Sequence, residues 1–149
     1  MEKKSVALDM MEFLDASKTP YHAVKLCVDK LREAGFKRLN LYKKIEVLEG
    51  RAYYIEYGTA IIAFRVHSKY DGYQIIGSHT DSPSMMIKPK AVIKDNGYVK
   101  LNTEIYGGPI LNSWLDRPLS LGGRVLLRSG KSMEPTEVLI DFVKPVAII

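Results

Sequence analysis

The pair of residues in this chain best suited to chemistry is His79 and Asp81, within Ile75-Ile76-Gly77-Ser78-His79-Thr80-Asp81-Ser82-Pro83. In extended backbone, residues i and i+2 point to the same side, so the two side chains can meet while Thr80 faces away. When one imidazole nitrogen coordinates a cation, the other carries a proton. A neighbouring carboxylate that accepts this proton fixes the tautomer and makes the ring a better electron donor. The spacing therefore offers His79 as a metal ligand and Asp81 as the residue that orients it. So short a pattern also arises by chance, and a structural histidine bonded to a nearby acid is the competing reading. One histidine is not a whole catalytic zinc site, which normally takes three protein ligands. The remaining histidines, His22 and His67, share no motif with it.

The elements that must position the pair follow from hydrophobic spacing. From Ser5 to about Ala16, Val6, Met10, Phe13 and Leu14 recur at helical spacing, with Asp9, Glu12 and Asp15 elsewhere, which predicts an amphipathic helix. Thr19-Pro20 opens a second helix as N-cap and first helical residue. Its stripe of Val24, Cys27, Val28 and Leu31 ends at Gly35. Cys27 reads as a small core residue, and His22, in the first turn, as a surface or capping residue. Residues 52–57 and 60–66 flank Gly58-Thr59 and predict a hairpin, with His67 closing its second strand. Gly72 to Gly77 reads as a further strand, buried at Ile75-Ile76 and delivering His79, in keeping with ligand sites at the carboxyl ends of strands. Beyond Pro83 the texture changes to short β-prone runs at 85–87, 90–94, 97–101, 124–127 and 137–142. Turn signals at Asp95-Asn96-Gly97, Gly107-Gly108-Pro109 and Ser129-Gly130 separate them, and no further helical stripe appears. Two parts result: an α/β part over 1–89 and a β-rich part over 90–149.

Composition sets the bounds. The 149 residues suffice for one compact domain, or for one domain and part of another, and 46% apolar with 26% charged residues is an ordinary globular balance. Lys and Arg exceed Asp and Glu by 22 to 17. The basic residues are scattered among acidic ones with no stripe interleaved with aromatics, so solvated faces are favoured over a nucleic-acid groove. With Cys27 the only cysteine, neither an intrachain disulfide nor a cysteine-based zinc site can form, which suits a reducing compartment. Acidic residues interrupt the N-terminal apolar positions, and no apolar run reaches membrane length, so the expectation is a cytoplasmic protein without a membrane partner.

Other candidate motifs carry less. Gly107-Gly108 and Gly122-Gly123 lack the lysine of a phosphate loop and open no helix, so they read as turns or kinks. Trp114-Leu115-Asp116-Arg117-Pro118 reads as a packed indole beside a turn whose Asp and Arg satisfy one another or the backbone. No serine stands in a Gly-x-Ser-x-Gly elbow.

Taken together, Gly77 to Pro83, Lys88-Pro89, Tyr106-Gly107-Gly108 and Trp114-Leu115-Asp116-Arg117-Pro118-Leu119-Ser120-Leu121-Gly122-Gly123-Arg124-Val125 resemble the aspartyl aminopeptidase family of metallopeptidases. Thr19-Pro20-Tyr21-His22-Ala23-Val24 is similar to its N-terminal signature. The resemblance implies an exopeptidase with two zinc ions, whose α/β catalytic domain carries an inserted β-rich oligomerisation domain entered near Pro89. It implies that His79 is a zinc ligand and Asp81 the catalytic-site residue that orients it. It also implies peptide substrates, with removal of N-terminal residues, often acidic ones, and assembly as a homo-oligomer.

The family's bridging aspartate, glutamate pair and remaining ligands are expected beyond Ile149, which falls inside the inserted domain. The expectation is therefore the N-terminal part of a zinc aminopeptidase, without substantial activity as 149 residues. The alternative is a non-catalytic module that keeps the family's shape and self-associates through its β-rich half.

Overall fold

The computed structural model describes residues 5–68, 72–128, 130 and 135–149. Two helices come first, α1 (Val6–Ala16) and α2 (Pro20–Glu33). The Ser5 side chain accepts from the Leu8 amide and caps α1. Thr19 is the N-cap of α2 in extended conformation, with Pro20 opening the helix as its sequence predicts. Its hydroxyl pairs with His22 Nδ1 at 2.8 Å rather than with a backbone amide, so His22 takes a local role at the helix start. Gly35, at φ +81°, ends α2 in the left-handed conformation that glycine adopts without strain.

A three-stranded sheet follows, in the order β1 (Lys37–Arg38), β2 (Ala52–Tyr57), β3 (Ala60–Arg65). The first pair is parallel and the second is the hairpin expected around Gly58-Thr59. Val24 and Val28 of α2 pack on Tyr54 of β2, with Leu31, Phe36 and Ile61 around them, to make the small core. Tyr54 is 1% exposed, and its hydroxyl accepts from Arg32 Nε at 2.8 Å, which satisfies its polar end at the edge of the core. Cys27 is half-buried on the same helix, and burial pushes its thiol up, partly offset by Lys30, in keeping with a packing role.

The second half is built of antiparallel ribbons. β4 (Ser84–Asp95) pairs with β5 (Tyr98–Tyr106) around Asn96-Gly97, both at positive φ as a two-residue hairpin turn demands. The runs expected separately at 85–87 and 90–94 belong to one strand, and Pro89 lies where its pairing slips between Ile87 and Val92. After a single 3₁₀ turn at Leu111–Ser113, β6 (Pro118–Leu119) pairs with β9 (Ala147–Ile148), and β7 (Gly122–Leu127) with β8 (Thr136–Asp141). β7 meets the start of α2: a Cβ on Gly122 would lie 3.3 Å from the Thr19 methyl, and the Arg124 guanidinium stacks 4.3 Å above the Tyr21 ring. Arg117 donates to the Ser113 carbonyl, so its charge serves a local turn, as expected. Of the turn expected at Ser129-Gly130, Ser129 lies outside the described residues.

Two expectations are corrected. Residues 73–79 form no strand, and Ile75 and Ile76 are 87% and 99% exposed. A strand exists only through its ladder, and no sheet among the described residues includes this run, so Ile75 and Ile76 stay uncovered. The stripe on α1 is likewise open: Val6, Met10 and Leu14 are exposed and only Phe13 is half-buried.

Candidate metal-site corner

His79 and Asp81 do meet. His79 Nδ1 lies 2.8 Å from the Asp81 carbonyl oxygen and 3.5 Å from carboxylate Oδ1. A carbonyl oxygen can only accept, so Nδ1 carries the proton, and Nε2 of the neutral ring holds the lone pair that binds a cation. The backbone carbonyl thus supplies the nearer contact that favours this tautomer, and the charge of the carboxylate behind it adds to the same preference.

With no strand beneath it, the turn is held among the described residues by two side-chain ties. The Thr80 hydroxyl donates to the Thr59 carbonyl at 2.7 Å, fastening the segment to the tip of the β2–β3 hairpin. On the other side, the Tyr106 hydroxyl donates to Asp81 Oδ2 at 2.7 Å. That bond, followed by the residue's own backbone N–H, holds the Asp81 carboxyl below its ordinary range; burial opposes them, and the nearby His79 adds a smaller lowering effect. The same bond pushes the Tyr106 hydroxyl up. Sequence reasoning placed Tyr106 only within the Tyr106-Gly107-Gly108 motif. Its contact with Asp81 spans 25 residues and follows from strand register, which no local spacing encodes.

These residues line an open cleft of about 390 Å³, bounded by His79, Asp81, Ser82, Pro83, Tyr106 and Gly107. The His79 side chain is 81% exposed there. His22 is engaged with Thr19 at the start of α2, and His67 lies just past β3, exposed; neither lines the cleft. Among the described residues, no group of three or more His, Cys, Asp or Glu side chains is placed to hold a metal. The donor set fits zinc as one oriented imidazole of a larger coordination sphere.

A family model described as aminopeptidase I zinc metalloprotease (M18) matches residues 13–149. A probable M18 family aminopeptidase 2 of Clostridium novyi is 41% identical over 99% of this chain and 35% of its own length. Its namesake in Streptomyces coelicolor is 40% identical over 92% of this chain and 31% of its own. Among solved structures, yeast aminopeptidase 1 superposes with a TM-score of 0.87 at 29% identity, covering 95% of this chain and 35% of that one. The M18 family aminopeptidase of Thermotoga maritima gives 0.76 at 29% identity, over 93% and 31%. The chain spans about a third of the length of the curated relatives it matches.

Proposed function

This chain belongs to the aminopeptidase I zinc metalloprotease (M18) family, and we propose that it supplies the His79 corner of a zinc aminopeptidase site. The observation that carries this is the His79 ring itself, with Nδ1–H given to the Asp81 carbonyl and Nε2 left to coordinate beside an open cleft. In this reading His79 would hold zinc, and Asp81 keeps the ring turned and its outer nitrogen protonated. Zinc so held supplies Lewis acidity, polarising a peptide carbonyl and bringing the pKa of a water toward neutrality.

The substrates in this reading are peptides, cleaved after their N-terminal residue with a preference for Asp or Glu, and the complete site takes two zinc ions. The 149 residues alone are proposed to be without substantial turnover, because a single oriented imidazole is short of the three protein ligands a catalytic zinc takes. The α/β part is proposed to end near Pro89, where the β4–β5 pairing slips, with the inserted β-rich part beyond it. The setting is the cytoplasm, and no helix among the described residues is long and apolar enough to cross a membrane.

Self-association is part of the same reading. A solved structure of yeast mApe1 is a dodecamer. The β4–β5 ribbon of this chain exposes Met86, Val92, Val99 and Ile105, apolar side chains beside free strand edges that a second copy would cover. Homo-oligomers through the β-rich half are expected by light scattering, and a monomer at high concentration would remove this part.

The metal reading is tested by titrating zinc into the ¹⁵N-labelled chain while observing its imidazole nitrogens. Nε2 of His79 is expected to shift before any nitrogen of His22 or His67, and His79→Ala to abolish the tightest binding. Unchanged affinity in His79→Ala would sink the assignment. Release of N-terminal Asp or Glu by the 149-residue chain at an enzymatic rate would refute its proposed inactivity.

A further inference from the structure

We propose that Tyr106 is a positioning residue for the His79 corner, acting through Asp81 and making the site geometry depend on the base of the β4–β5 ribbon. The inference rests on reading His79 as a metal ligand, and it names a residue to which that reading gives no role.

The ribbon's register brings the parts together. Ser84 and Tyr106 are its first cross-strand partners, so the ribbon opens next to the site turn, and its last residue is carried back to Asp81, three residues before Ser84. Gly107 then leaves the strand at φ +74°, against Pro83: a Cβ there would lie 3.5 Å from the proline Cα. The ring therefore reaches Asp81 from backbone that is held on both sides, by the ladder before it and the glycine turn after it.

What the phenol does follows from the shape of a carboxylate. Rotation about the terminal torsion of aspartate is broad, so an exposed carboxylate samples many orientations. The Asp81 side chain is 40% exposed and left to itself would turn toward water. A hydroxyl donating to Oδ2 at 2.7 Å is a charge-assisted bond that selects one orientation, and in it Oδ1 stands 3.5 Å from His79 Nδ1. Removing the hydroxyl frees the carboxylate to swing away or to approach the ring differently. The Asp81 carbonyl still accepts from Nδ1, but either change takes away the carboxylate's share in keeping the proton on Nδ1 and the lone pair on Nε2.

The test is Tyr106→Phe, compared with Tyr98→Phe near the ribbon tip and with Asp81→Asn, read by imidazole ¹⁵N shifts of His79 at a pH where the ring is neutral. Wild type and Tyr98→Phe are expected to show the Nδ1–H tautomer. Tyr106→Phe is expected to move toward a tautomer mixture and to weaken zinc binding at His79 on the order of 10-fold. Cross-strand proton contacts between residues 84 and 106 report whether the ribbon stays folded. If it does not, the decision passes to the double variant with Asp81→Asn, compared at a temperature where all variants keep those contacts. A double variant no worse than Asp81→Asn alone supports action through Asp81, and additive losses overturn it. Wild-type tautomer and affinity in a folded Tyr106→Phe also overturn it. Should wild-type zinc binding bypass His79, the metal reading falls, while the tautomer measurement still decides whether Tyr106 sets the ring.

Discussion

Thr80 donates its hydroxyl proton to the Thr59 carbonyl oxygen at 2.7 Å, tying the turn that carries His79 to a hairpin tip 21 residues earlier. Because residues 73–79 enter no sheet, this bond and the Tyr106 bond to Asp81 do the work that a paired strand would otherwise do.

Replacing Thr80 with Val keeps the shape and removes the donor. The expected cost is about 1 kcal/mol, the net worth of one protein hydrogen bond, measured by urea unfolding. The sharper sign is local: amides of residues 79–81 should exchange faster while those of α2 are unchanged. Uniform exchange across the chain would show that the tie does not anchor the turn.

The core between α2 and β2 is small, so each methyl group in it counts. Val24 is 1% exposed against Val28 and Tyr54. Val24→Ala should destabilise by about 2 kcal/mol through lost burial and the cavity left behind. A lowered urea midpoint at unchanged slope is the expected result, whereas a shift of less than about 0.5 kcal/mol would mean that the site collapses to refill the space or that this cluster is not what holds α2 to the sheet.

Cys27 provides a pH dependence with a definite sign. Burial raises its thiol above the ordinary 9.0, so the folded state favours the protonated form. The stabilising contribution is fully present below the unfolded value and is lost as pH rises through the higher folded one. At mildly alkaline pH, alkylation of the native chain should therefore be slower than alkylation in denaturant, with the rate ratio closing at higher pH. Equal rates in the two states at the lower pH would contradict it.

Gly97 sits at φ +82° in the turn of the β4–β5 hairpin. Alanine there meets no neighbour but must adopt a left-handed conformation, at a cost of about 1–2 kcal/mol. Hydrogen exchange along β4 and β5 should accelerate in Gly97→Ala. If residues 84–87 and 103–106 at the base loosen as well, His79 ¹⁵N shifts should follow; a loosened base with unmoved shifts would separate the ribbon from the site.

Much of the fold is written in local chemistry that a single sequence exposes. Thr19-Pro20 and Gly35 bound α2, Gly58-Thr59 and Asn96-Gly97 turn the β2–β3 and β4–β5 hairpins, and Val24, Val28 and Leu31 mark the face that packs. These features depend on torsional preferences and periodicity within a few residues, so no distant partner is needed to read them. The i, i+2 spacing allowed His79 and Asp81 to meet, although they do so across a bend at Thr80 rather than on a strand, and the nearer contact is to the Asp81 carbonyl. The contact of Tyr106 with Asp81 and of Thr80 with Thr59, and the exposure of Ile75 and Ile76, were decided only in three dimensions. Each depends on which strands pair and in what register, and apolar residues announce a need for burial without saying which surface will meet it.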